Sequence, residues 1–193
     1  MYPEGFQTTV TVPALARRWE GEIRSHHFTG VATVVTKLFG VVQPHLALFG
    51  QKDYQQAALV RQLVDDLNLG VAIQMRPTVR ERDGLAMSSR NIYLRPDERR
   101  IAPLLFQALR AGQQMIEAGM SDVAAIERIM RQTFEQAPTI HVEYLAVCDP
   151  DSLEPISVVA DRAVLLGAAR IGSIRLIDNL PVKMPGGKSR ATR

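Results

Sequence analysis

The chain has 193 residues, 46% of them hydrophobic and 22% charged, with a formal net charge of +3. That length suits one large domain or two small ones, and that composition suits a soluble globular protein rather than a disordered or fibrous one. Its apolar runs last only a few residues, far short of the roughly 20 needed to span a bilayer, so a membrane protein is not expected.

The first twenty residues carry no secretory apolar core. A lone cysteine, Cys148, allows no intrachain disulfide and fits a reducing, cytoplasmic setting. It lies in an apolar stretch and reads as inert packing. Basicity invites a nucleic-acid reading, but Lys183, Lys188, Arg190 and Arg193 crowd the last twelve residues without an acid. Without those four the net charge drops to about −1. The body is near neutral, residues 182–193 are expected to be a basic disordered tail, and a nucleic-acid module is the weakest candidate.

In chain order, residues 1–28 are mixed. Thr8–Val12 reads as strand-like, and Arg17, Arg18 and Trp19 follow. This is an unusual way to open a domain, and Met1 is expected to be an internal methionine of a longer frame. From Thr29 the pattern is helical, with Val31, Val34, Val35, Leu38 and Val42 on one face. Pro44 should end that helix near Gln43. His45–Phe49, closed by Gly50, reads as a buried parallel strand. A second helix carries Val60, Leu63, Val64 and Leu67 and ends at Gly70. Val71–Met75 reads as the next strand. This is a β-α-β unit whose crossover should be right-handed, which opens both strand ends on one ligand-binding edge.

After Pro77 the organisation changes. Asp83-Gly84 marks a turn. Pro96-Asp97 opens a helix with Ile101, Leu104, Leu105, Ala108 and Leu109 inward. Ser121-Asp122 starts another, with Val123, Ile126, Ile129, Met130 and Phe134 inward. Strand candidates are Val142–Val147, Ala163–Ala169 and Ile174–Ile177. Two helices and then three strands suggest a small α+β domain. The expected divisions are 1–78, 79–181 and the tail 182–193.

Two segments carry chemistry. Phe49–Gln56 brings Lys52 to the end of a strand, where its mobile point charge could reach phosphate oxygens; a solvated surface lysine is the plainer alternative. Asp53 suits ribose hydroxyls, or an N-cap completed by Gln56 three positions on. Gln55 competes for that capping role, and Gln56 could instead face the crevice and bind a hydroxy acid. Leu85–Asn91 brings Ser88, Ser89 and Arg90, two hydroxyls and a guanidinium able to surround β- and γ-phosphates as pyrophosphate leaves. The alternative is a Ser-rich turn with a surface arginine. Together the two segments could hold a nucleotide triphosphate from two sides. His26-His27 lacks the i, i+4 spacing and the third ligand of a metal site. Arg24 beside it could approach an anionic substrate.

At these residues the chain resembles the pantothenate synthetase (pantoate–β-alanine ligase) family. The matching segments are Arg24–Val31, Lys37-Leu38-Phe39, Gln43-Pro44, Phe49–Gln56, Pro77–Arg80, Asp83–Asn91 and Leu176–Asn179. The resemblance implies an α/β fold: a Rossmann-like nucleotidylyl-transferase domain followed by a smaller α+β domain. It implies a cytoplasmic homodimer that uses ATP and magnesium to activate pantoate as an adenylate, which β-alanine then attacks. It would put Gly50, Gln51, Lys52 and Asp53 on the nucleotide, with Lys52 on phosphate and Asp53 on ribose. Gln56, with Arg24 nearby, would bind pantoate. Val79 and Met87 would meet adenine through their backbones, and Ser88, Ser89 and Arg90 would meet the phosphates.

Two departures stand out. Gln51 replaces the family's usual Glu. The family's first third, with its Pro-Thr-Met-Gly and His-x-Gly-His segments, the other pantoate-binding glutamine and the magnesium-contacting acids, has no counterpart here. The first domain is thus expected to be incomplete, and the isolated chain to have low or no activity. The rival readings are a non-catalytic fragment that keeps dimerisation or weak nucleotide binding, and a different adenylate-forming enzyme on the same fold.

Overall fold

The computed structural model describes residues 1–186. The chain divides into two compact units, Met1–Pro77 and Thr78–Arg193.

The first unit opens with two single-turn helices, α1 (Pro13–Ala16) and α2 (Glu20–Ile23). Thr8–Val12 forms no strand. The Val10 N–H donates to Thr33 Oγ1 at 3.0 Å instead of joining a ladder, so its β-propensity goes unused. Helix α3 (His27–Val42) ends where Gln43 turns left-handed at φ 49°, one residue before Pro44. Its buried stripe is Phe28, Ala32, Thr33 and Val35. Leu38 and Val42, expected inward, are exposed, because the last turns of α3 run past the surface that covers its first half.

Strand β1 (Leu46–Gly50) pairs in parallel with β2 (Ala72–Arg76), from Leu46 opposite Ala72 to Gly50 opposite Arg76. Between them α4 (Tyr54–Asp66) buries Ala57, Leu59, Val60 and Leu63, packing on α1, α3 and both strands. Chain reversal after α4 falls on Asn68 at φ 50° rather than on Gly70. The expectation of a buried strand does not hold for β1. Leu46 and Leu48 are 50% and 56% exposed while Ala47 and Phe49 are partly covered. With two strands and helix α4 on one side, the alternation of side chains leaves every second residue uncovered.

The second unit opens with an irregular hairpin and a 3-10 turn (Ser89–Tyr93). Pro96 then starts a helix, as expected, but Pro103 breaks it into α5 (Pro96–Ile101) and α6 (Leu104–Glu117). A proline ring clashes with the carbonyl four residues back and offers no N–H, so one continuous helix is not available. Helix α7 (Val123–Gln132) is capped by Asp122, whose Oδ1 accepts the Ala124 N–H at 3.1 Å. An antiparallel sheet follows, ordered β3 (Ile140–Cys148), β4 (Arg162–Ile171), β5 (Ile174–Lys183). Leu105, Leu109, Ile116, Ile126 and Met130 pack on Val147, Leu165 and Ile171 in one core. A Cβ on Gly167 would come within 2.9 Å of Leu105 Cδ1, so a larger residue would push the Leu105 side chain aside where α6 meets β4. Cys148 is buried in β3.

Strand β5 also corrects the tail boundary. Val182 pairs with Ala163 and is buried, and Lys183 pairs with Arg162. Pro181 is tolerated because β5 is an edge strand. The rest of the expected tail from Gly187 onward, including Lys188, Arg190 and Arg193, lies outside the described residues. No helix among the described residues is long and apolar enough to cross a membrane.

Candidate functional site

The residues singled out from sequence divide between the two units. In the first, Gly50 is the last residue of β1, Gln51–Asp53 form a 3-10 turn, and Tyr54 begins α4. This strand–turn–helix geometry puts Lys52 and Asp53 at the carboxyl end of a parallel strand and the amino end of a 13-residue helix. The helix dipole favours an anion there. Lys52 is mostly sheltered, with 18% of its side chain exposed, and its Nζ lies 3.9 Å from Asp53 Oδ1. Asp53 occupies the N-cap position but makes no side-chain cap hydrogen bond. The capping-box alternative for Asp53 and Gln56 is therefore not realised, and the Asp53 carboxylate is 53% exposed.

Of the two adjacent glutamines, Gln55 turns inward. Its Oε1 accepts the Glu20 N–H at 3.1 Å, and its Nε2 donates to the Leu15 carbonyl at 2.7 Å and the Arg18 carbonyl at 2.9 Å. It ties α1 and α2 to α4 with both its donors used, and it is buried. Gln56 is partly exposed and makes no side-chain hydrogen bond among the described residues. Arg24 caps α2 through its backbone, donating to the Glu20 carbonyl at 2.9 Å, and its side chain is exposed.

In the second unit Arg80 and Ala86 form an antiparallel bridge. Beside it the Met87 N–H donates to the Val79 carbonyl at 2.9 Å and the Glu81 N–H to the Leu85 carbonyl at 2.8 Å. The reciprocal bond from the Val79 N–H to the Met87 carbonyl is not made. A backbone donor and a backbone acceptor are thus left side by side, under two exposed apolar side chains. Ser88 Oγ accepts the Arg90 N–H at 3.3 Å and caps the turn that presents Ser89 and Arg90 to solvent.

A polar network that sequence reading missed surrounds this hairpin. Arg80 donates twice to Asp178, at 2.6 and 2.9 Å, and to the Gly84 carbonyl at 3.0 Å. Its guanidinium lies 4.0 Å from the centre of the Phe106 ring. Arg99 donates to Glu81 and to Asp83, both at 2.6 Å. Asn91 Nδ2 donates to Glu81 at 2.8 Å and to the Ala86 carbonyl at 3.1 Å. The Arg99 guanidinium holds the Glu81 and Asp83 carboxyls below their usual range, with Asn91 assisting at Glu81. Thr78 Oγ1 and Asn91 Oδ1 are buried without a hydrogen-bond partner. The one available signal was the pair of segments Pro77–Arg80 and Leu176–Asn179, an arginine in one and an aspartate in the other, but spacing could not pair them across 98 residues. Among the described residues no group of three or more His, Cys, Asp or Glu side chains could hold a metal ion, His26 and His27 included.

Known proteins resemble this chain in sequence and fold. Residues 1–181 match the family described as Pantoate-beta-alanine ligase. A pantothenate synthetase of Herpetosiphon aurantiacus is 49% identical over 181 residues, 93% of this chain and 66% of the relative. One from Moorella thermoacetica is 46% identical over 184 residues, 95% of this chain and 65% of the relative. A crystal structure of the pantothenate synthetase of Thermus thermophilus superposes with a TM-score of 0.90 at 48% identity, covering 93% of this chain and 65% of that one. The Francisella tularensis pantoate–β-alanine ligase, complexed with "Beta-gamma ATP and Beta-alanine", superposes with a TM-score of 0.68 at 30% identity, covering 93% of this chain and 60% of that one. The chain spans a little under two thirds of the length of the relatives it matches.

Proposed function

This chain belongs to the pantoate–β-alanine ligase family, and from that premise we propose that it supplies nucleotide- and pantoate-holding residues to an enzyme that makes pantothenate in two steps. In the first, a pantoate carboxylate oxygen bonds to the α-phosphorus of ATP, the bond from that phosphorus to the bridging oxygen breaks, and pyrophosphate leaves with the electron pair. In the second, the β-alanine amine bonds to the acyl carbon of pantoyl adenylate. The acyl C–O bond breaks, AMP leaves, and the new amide nitrogen loses its proton.

The observation that carries this reading is Lys52, sheltered at the end of a parallel strand and the start of a helix. A cation held there stabilises negative charge as it builds on the departing phosphates. Asp53, exposed beside it, offers a carboxylate to ribose hydroxyls, and Gly50 and Gln51 offer backbone. Gln56, spared the structural duty that occupies Gln55, is assigned to pantoate, with Arg24 as a second candidate for its carboxylate. The unpaired Val79 N–H and Met87 carbonyl are assigned to the adenine edge, and Ser88, Ser89 and Arg90 to the β- and γ-phosphates. Magnesium is proposed to accompany ATP. The described residues do not form a site for it by themselves, and no step of these residues depends on it. A homodimer in the cytoplasm belongs to the same proposal.

ATP titrated into the 193-residue chain, beside Lys52→Ala, tests the reading. Loss of a charge-assisted contact should weaken binding about 10- to 100-fold. Equal affinity in the two proteins, or no binding by either, would overturn the nucleotide role of this turn. Pantoate-dependent AMP release that disappears in Lys52→Ala would extend the result from binding to turnover.

A further inference from the structure

The second-unit hairpin is held more firmly than a turn requires. Arg80 is engaged on three sides: two hydrogen bonds to a carboxylate only 3% exposed, a third to the Gly84 carbonyl, and the Phe106 ring face. Gly84 stands at φ +92°, and a Cβ there would come within 2.2 Å of Phe106 Cδ1. The turn therefore presses on the same ring that Arg80 covers. Asp178 is fixed in turn, since its Oδ1 also accepts the Asn179 N–H at 2.8 Å. Of the residues between Val79 and Met87, Leu85 and Ala86 are buried, while Val79 and Met87 at the two ends are exposed.

We infer that Arg80 and Asp178 are positioning residues, whose ion pair sets where the Val79 N–H, the Met87 carbonyl and the following Ser88-Ser89-Arg90 stand for an adenine nucleotide. The inference rests on the nucleotide reading above. A backbone donor–acceptor pair can select a purine edge only if its spacing is held, because hydrogen bonds weaken steeply with misalignment. A planar fork gripping a buried carboxylate holds such spacing, whereas a lysine at the same place is a single mobile charge that cannot pair bidentately or stack.

Arg80→Lys and Asp178→Asn in the 193-residue chain test the role. Amide hydrogen exchange is read at Met87 and Glu81, whose N–H groups close the hairpin, and at Leu165 and Leu166 in β4; ATP affinity is read alongside. In Arg80→Lys, exchange at Met87 and Glu81 should quicken about 10-fold or more while the β4 amides stay within about 2-fold, the pattern of a local opening. Asp178→Asn, which keeps the shape and loses the charge, should show the same pattern to a smaller degree. ATP affinity should fall about 10-fold in Arg80→Lys, one lost hydrogen-bonded contact's worth. Unchanged exchange at Met87, or hairpin and β4 amides quickening together as for a pair that merely stabilises the unit, would overturn the inference. Unchanged ATP affinity despite local quickening, in a wild-type chain that binds ATP, would overturn it too. If the wild-type chain binds no ATP and the quickening is still local, Arg80 does fix the hairpin and it is the nucleotide reading that has failed.

Discussion

The two units of this chain solve the same problem to different extents. In the second, α6 and α7 cover one face of a three-stranded sheet, and Leu109, Ile116, Ile126, Met130 and Leu165 have essentially no exposure. In the first, a two-stranded sheet has α4 packed against it and leaves Leu46 and Leu48 uncovered. Both sheets are built from residues with ordinary strand character. The difference shows that strand propensity fixes where a strand lies but not how far its faces are buried, which depends on what packs against them.

The largest expected effect tests that contrast directly. Leu109→Ala should cost about 2–5 kcal/mol, a lost side chain plus a cavity, whereas Leu48→Ala should stay within about 0.5 kcal/mol as a surface change. Urea unfolding of the two variants measures both, and a comparable loss for Leu48→Ala would mean that its exposed face is covered in solution. A smaller effect separates two neighbours on α4. Gln55→Ala removes the Gln55 hydrogen bonds to the Glu20 N–H and the Leu15 carbonyl and one of two on the Arg18 carbonyl, and should cost about 1–3 kcal/mol. Gln56→Ala should leave the unfolding midpoint unchanged and weaken pantoate binding. Thermal unfolding with calorimetric titration tells them apart, and reversed results would exchange their roles.

The smallest effect is one of pH. Glu81 and Asp83 are held below their usual carboxylate range chiefly by the hydrogen-bonded Arg99. Groups lowered on folding contribute stability above their unfolded values and lose it as the pH falls through their folded ones. Hairpin protection, read at the Met87 amide, should therefore be constant from about pH 7 down to about pH 5 and decline below about pH 4. In Arg99→Gln the decline should flatten. Both carboxylates are partly exposed, so the change is small.

What could be read from sequence follows from range. Helix α4, strand β2, the inward faces of α6 and α7 and strands β3 and β4 are set by local periodicity, and each lies within a few residues of where the pattern puts it, while β5 starts where expected at Ile174 but runs six residues further, to Lys183. The first chemical segment was equally legible as a turn between a strand and a helix. Thr8–Val12 was misread because its Val10 amide is claimed by Thr33, 23 residues away. The inner stripe of α3 was misjudged because the valines repeat all along the helix while only its first half is covered. The break at Pro103 was legible and passed over, since the apolar spacing continues across it. Gln55 and Gln56 cannot be ranked by spacing at all, because the hydrogen bonds that decide between them come from α1, from the turn after it and from the first residue of α2. The Arg80–Asp178 pair lies beyond any periodicity.

That last pair has a consequence for the order in which the chain is made. Arg80 leaves the ribosome 98 residues ahead of its partner, a delay of roughly 5–20 s at ordinary rates of synthesis. Through that interval the hairpin can turn at Gly84 and close its backbone bonds, but it has no carboxylate to grip. Only when β5 is synthesised and laid against β4 does the fork find Asp178. The loop assigned to phosphate thus takes its final shape among the last events of folding, and a nascent chain stalled before residue 178 would carry every residue of that loop with its arginine anchor unmade.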